Sequence, residues 1–176
     1  MGQTLRRVFG FVVTGVTTYV CLTGSREAEA ASWIRHSANY CAPFIEGGDF
    51  PGNDWADNNL SFSGGKVTVG TNGLGWLACP LTDNSSQQHQ NMTDLLAYVK
   101  DNSTTGSVDV STCAVFWNAT GASCSASAST SVAGTGWSWV RPSRTALTSY
   151  PNEFAQLQII ASGTGSMVSG YVSYYQ

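Results

Sequence analysis

At 176 residues and 18.6 kDa the chain has room for one domain and little more. Only 11% of its residues are charged, less than half the roughly 25% of an ordinary soluble protein, while another 11% are aromatic. A net charge of −3 and a mean hydropathy of −0.07 complete a profile that excludes a coiled coil, a basic nucleic-acid binder and a highly charged disordered tail. A chain rich in Ser, Thr and Gly with abundant Trp and Tyr reads instead as secreted β-structure.

The first thirty residues read as an address. Arg6-Arg7 precede the apolar segment Val8 to Leu22, and Ala28-Glu29-Ala30 has the small-x-small form of a cleavage site. The apolar run is about 15 residues long and broken by Thr and Gly, against the ~20 that a membrane span needs. A cleavable signal at 1–30 followed by a secreted domain at 31–176 is therefore expected, extracellular or periplasmic, with no permanent membrane anchor. Arg6-Arg7-Val8-Phe9 also resembles the core of a twin-arginine export signal, so the export route stays open. Cys21 belongs to the signal and leaves with it.

Beyond residue 30 five cations face nine acids, a net charge of −4, and no basic patch for phosphate backbones is expected. Nucleic acid is accordingly not an expected partner. Four cysteines remain: Cys41, Cys79, Cys113 and Cys124. An even number in an exported chain implies two disulfides, with three possible pairings. Cys113 and Cys124 flank Asn118-Ala119-Thr120-Gly121-Ala122, a turn-like insert between strand-like runs, which favours Cys113–Cys124 and leaves Cys41–Cys79. A zinc site is disfavoured, because there is no C-x-x-C pair and only His36 and His89 are at hand.

Along the secreted domain, residues 31–58 read as an irregular entry. Short strand candidates follow at Leu60–Phe62, Lys66–Val69, Leu74–Leu81, Ser107–Trp117, Gly136–Val140, Phe154–Ala161 and Val168–Tyr175, punctuated by Gly, Asn and Ser. Cys124 to Ser131 alternates small residues. The segment Thr93–Lys100 has a helix cap in Thr93, yet its eight residues and the Asp101-Asn102 turn signal suit a strand better. The expected architecture is all-β: a single antiparallel β-sandwich of about 7–8 strands with two disulfides.

Three pieces occur in order: Val67-Thr68-Val69 running on to Ala78-Cys79-Pro80-Leu81, then Leu96-Ala97-Tyr98-Val99-Lys100-Asp101, then Val110-Ser111-Thr112-Cys113. Ser169-Gly170-Tyr171-Val172-Ser173-Tyr174 closes the chain. Over about residues 60–176 this resembles a group of small exported bacterial proteins, common in myxobacteria and other proteobacteria, that are described only as hypothetical or uncharacterised. The resemblance implies a single β-sandwich with a Cys-Pro after one strand, and it supplies no activity. Many members carry another cysteine near the last strands. Phe154–Ala161 has none here, so the group's disulfide pairing does not transfer.

Candidate chemistry is sparse. Asp49, Asp54 and Asp57, with Glu46 and several Asn, crowd one loop and are the only calcium candidates, without EF-hand spacing. A solvated loop is the first reading, since Asp and Asn make their own turns, and no other cofactor is expected. Trp117, Trp137 and Trp139, together with Tyr171, Tyr174 and Tyr175, are candidates for stacking on sugar rings. Trp137 and Trp139 are two apart and share one sheet face. That face reads as core rather than as surface, because aromatics dominate buried contacts. There is no G-x-S-x-G, His89 sits in a polar run read as solvated, and no acid pair is legible, so an enzyme is disfavoured. Five N-x-S/T sequons, at Asn59, Asn84, Asn91, Asn102 and Asn118, are read as unused, the bacterial resemblance arguing against a glycosylating compartment.

Three roles remain for an exported, non-catalytic domain. The first is surface- or matrix-associated binding, with a polysaccharide or cell-surface component as partner. The second is a carbohydrate-binding module. The third is a pilin-like subunit that polymerises by strand addition, suggested by Gly163 and the penultimate Tyr175. The mixture of Ser169 and Ser173 with Tyr171 and Tyr175 in one phase speaks against the third.

Overall fold

The structure, a computed structural model, describes residues 32–43, 60–71, 73–81, 88–116, 121–131 and 136–175. The expected signal segment and the loop with Asp49, Asp54 and Asp57 lie outside the described residues, as does Trp117.

Two antiparallel sheets make up the domain. The first contains β1 (Ser32–Ser37), β3 (Leu60–Ser63), β4 (Lys66–Val69), β6 (Met92–Asp101), β10 (Gly136–Val140) and β12 (Met167–Tyr175). Its order is β10-β6-β12-β4-β3, with β1 also paired to β12. The second contains β2 (Ala42–Pro43), β5 (Leu74–Pro80), β7 (Val108–Val115), β8 (Ala122–Cys124), β9 (Ala128–Ser129) and β11 (Phe154–Ser162). Its order is β2-β5-β11-β7-β8, with β9 on β7.

Each long strand alternates between a core side and an outer side. On β6, Leu95, Ala97 and Val99 are fully buried, while Leu96, Tyr98 and Lys100 face outward. β10 and β12 pair along its two edges, so its backbone groups are satisfied between strands rather than within a helix. The strand reading of Thr93–Lys100 is thus the observed one. Facing residues from the second sheet, including Leu77, Val108, Val110, Leu157 and Ile159, close a single core with Val67, Val69, Val168 and Tyr171. Each such side chain, once fully buried, contributes about 1.5–3 kcal/mol.

The entry segment corrects the sequence reading. Residues Ser32–Ser37 are a regular strand along Gly170–Tyr175, with Trp33 and Arg35 outward and Ile34 and His36 inward. Their polar and aromatic mixture hides a period of two that becomes visible only beside β12. Gly170 makes the approach possible. A Cβ there would stand 2.2 Å from the His36 carbonyl oxygen. A one-turn helix α1 (Thr145–Ser149), also absent from the sequence reading, buries Ala146 and Leu147. It is held by the Ala146 N–H donating to Ser125 Oγ at 2.9 Å.

The chain crosses from β1 in the first sheet to β2 in the second through a 3-10 turn at Ala38–Tyr40. Cys41–Cys79 pins that crossing from inside the core, both residues being buried. Cys113 and Cys124 are direct partners in the β7–β8 pair and form the second disulfide. Both bridges match the expected pairing. In the chain-entropy account, closing separations of 38 and 11 residues stabilises the fold by about 4 and about 3 kcal/mol. Among the described residues no helix is long and apolar enough to cross a membrane.

Candidate functional site: an aromatic and basic outer face

The outer side of the first sheet carries an aromatic stack. Trp139 on β10 lies directly opposite Tyr98 on β6, and Trp137 opposite Lys100. Tyr98 enters between the two indoles, its ring centroid 4.8 Å from Trp137 at an interplanar angle of 22° and 4.6 Å from Trp139 at 31°. The Lys66 ammonium sits 5.2 Å from the Trp137 ring centroid. The sequence expectation that Trp137 and Trp139 face the core is therefore corrected: they are 38% and 55% exposed. The cause is β10's position at the sheet edge. Its inner side presents Val140, 5% exposed, with Gly136 and Ser138, so the indoles stand on the outside.

Further across the same face, Trp33 on β1 is opposite Tyr174, which is opposite Asp94 on β6. The Arg35 guanidinium carbon lies 4.2 Å above the Trp33 ring, and Trp33 stays exposed. Arg141, just past β10, reaches Asp94 with a nitrogen–oxygen distance of 2.9 Å. Rings already ordered by neighbouring rings and cations lose little freedom when a ligand packs on them.

Of the other aromatic candidates, Tyr174 is partly exposed while Tyr171 and Tyr175 are inside. The Tyr171 hydroxyl donates to the Pro80 carbonyl. Burial, and secondarily Tyr175 and Tyr40, push that phenol far above its usual range, so it remains a donor. Sequence reasoning passed over Tyr98, Lys66, Trp33 and Arg35 as members of one surface. The available signal was the matching alternation of Trp-x-Trp, Tyr-x-Lys and Trp-x-Arg, which needs the strand pairing to be read.

Of the two histidines, His89 is buried and His36 half-buried. His89, expected in solvent, is 3% exposed, and its Nε2 donates to the Tyr150 carbonyl at 3.4 Å. His36 stacks on Tyr171 at 4.5 Å, with Ser173 Oγ 3.4 Å from its Nε2. Burial lowers its pKa, and the Ser173 side of the contact is fully buried. An open depression of about 460 Å³ on the second sheet, between Pro80, Leu81, Val115, Phe154 and Gln156, is lined by no ionisable side chain. Among the described residues no three His, Cys, Asp or Glu side chains gather into a metal-holding group. The C-terminal strand β12 lies inside its sheet, flanked by β6 on one side and by β4 and β1 on the other.

No protein-family model matches the chain, and no curated protein matches it.

Proposed function

We propose that the chain is an exported, non-catalytic binding domain whose ligand is carbohydrate, held on the outer face of the first sheet. The observation that carries this reading is the Trp137–Tyr98–Trp139 stack on β10 and β6, with both indoles exposed. Sugar rings present apolar C–H faces flanked by hydroxyls, and a fixed indole surface beside polar groups is complementary to both. The two disulfides support a role outside the reducing cytoplasm, in the periplasm or beyond, with surface or matrix association. Membership in the group of small exported bacterial sandwiches is part of the same proposal.

The test is retention of the disulfide-intact domain on a panel of insoluble and immobilised polysaccharides, neutral and acidic. Wild type is expected to be retained on at least one polymer and W137A/W139A on none, at unchanged secondary structure. Equal retention of the two proteins, or no retention on any polymer, would remove the carbohydrate reading.

A further inference from the structure

The distribution of charge goes beyond the aromatic stack. The secreted domain has five cations, Arg35, Lys66, Lys100, Arg141 and Arg144. Four of them belong to one face. Lys100 is opposite Trp137 and Met167, and Met167 in turn is opposite Thr68, which shares its side of β4 with Lys66. Arg35 is opposite Val172, which is opposite Leu96. Arg141 reaches this face through Asp94, the only acid on it among the described residues. The outer side of the second sheet carries Asp109 and, among the described residues, no cation.

Two of these cations are seated on rings and, among the described residues, on no carboxylate. Arg35 lies over Trp33 and Lys66 over Trp137. Seating on a ring orients a cation without neutralising it, since the ring carries no net charge. A domain of net charge −4 thus keeps a locally positive, aromatic face.

Resting on the carbohydrate reading above, the geometry points to an acidic polysaccharide, a polymer bearing carboxylate or sulfate groups, as the ligand of this face. A chain laid across the strands advances about 4.8 Å per strand, close to the length of one pyranose ring. It therefore meets indole surface at β10, then Lys100 on β6, and beyond β12 either Lys66 on β4 or Arg35 on β1, two strands that lie along the same edge of β12. Ring stacking supplies contact with the sugar body, and Lys66, Lys100 and Arg35 supply the partners of its anionic groups. Single-stranded nucleic acid also combines anions with stackable rings. The export and disulfide features favour the polysaccharide, the polyanion of the oxidising exterior.

Affinity measurements on the disulfide-intact domain use two matched pairs, polygalacturonate against its methyl ester and dextran sulfate against dextran, with oligothymidylate as a third polyanion. At least one acidic polymer is expected to bind about tenfold more tightly than its neutral counterpart, with the difference collapsing near 0.5 M salt. K66Q/R35Q is expected to lose that preference while unfolding at the wild-type midpoint, and W139A to weaken binding to both members of the pair. Equal binding of acidic and neutral members overturns the acidic assignment and leaves the carbohydrate reading standing. Binding of oligothymidylate as tightly as the acidic polymer, or acidic binding that W139A does not change, reduces the face to a general polyanion surface and overturns the assignment. No binding to any polymer removes both readings.

Discussion

Tyr98 and Trp139 face one another across the β6–β10 pair with ring centroids 4.6 Å apart, and Trp137 closes on the other side of Tyr98 at 4.8 Å. The pairing joins an edge strand to its neighbour through side chains on the outside of the sheet, where the core contributes nothing. The three rings thus brace the edge strand on the side away from the core.

A double-mutant cycle measures how far two of the rings stabilise one another. For Y98A, W139A and the double variant, urea unfolding is expected to give a coupling of about 0.5–1.5 kcal/mol, the usual size for an aromatic pair. Additive losses would mean that the rings are neighbours without mutual stabilisation.

The two disulfides differ in what surrounds them. Cys41–Cys79 closes the longer loop and is buried, whereas Cys124 is exposed. C41A/C79A is expected to cost about 4 kcal/mol and C113A/C124A about 3 kcal/mol. Removal of the core bridge should also free β1 and β2, seen as faster amide exchange at residues 32–43. A larger loss from C113A/C124A would contradict this ordering.

Acid should act through His36. Burial lowers its folded pKa below the ordinary 6.5, so between those two values the unfolded chain holds more protons than the folded one. Stability from this residue is complete above about pH 6.5 and declines as pH falls toward the folded value. The urea midpoint of wild type is expected to drop between about pH 7.5 and about pH 5, and that of H36F to drop less. Equal declines would assign the acid sensitivity to other groups.

Gly170 controls whether β1 can dock. A methyl group at this position would meet backbone, the His36 carbonyl, rather than a side chain able to move aside. G170A is expected to cost about 3 kcal/mol or more, in the upper range for overpacked sites. Amides of Ser32–Ser37 should lose protection while those of β5 and β11 keep it. Unchanged protection along β1 would show that the strand shifts without loss.

Much of the fold was legible locally. Between Ser63 and Lys66 only Gly64-Gly65 intervene, both with positive φ, and this two-residue link is what a tight hairpin demands. Alternation marked β4, β10, β11 and β12 to within a residue or two, because a half-buried strand must place apolar groups every second position. The Cys113–Cys124 bridge was legible for the same reason, lying across one hairpin. β1 was hidden: its partner β12 lies far away in sequence, and its own residues mix Trp, Arg, His and Ser.

By itself, then, the amino-acid order determined the all-β class, the period of most of the long strands and the favoured cysteine pairing. These depend on composition or on neighbours close along the chain, except Cys41–Cys79, which follows once the local Cys113–Cys124 pair is taken. Only the tertiary structure decided which side of β10 faces water, since the period of two is the same whichever way the strand turns. It also decided that Tyr98 stands between Trp137 and Trp139, and that Arg35, Lys66, Lys100 and Arg141 share their face. Those relationships join residues far apart in sequence, and it is sheet order that brings them together.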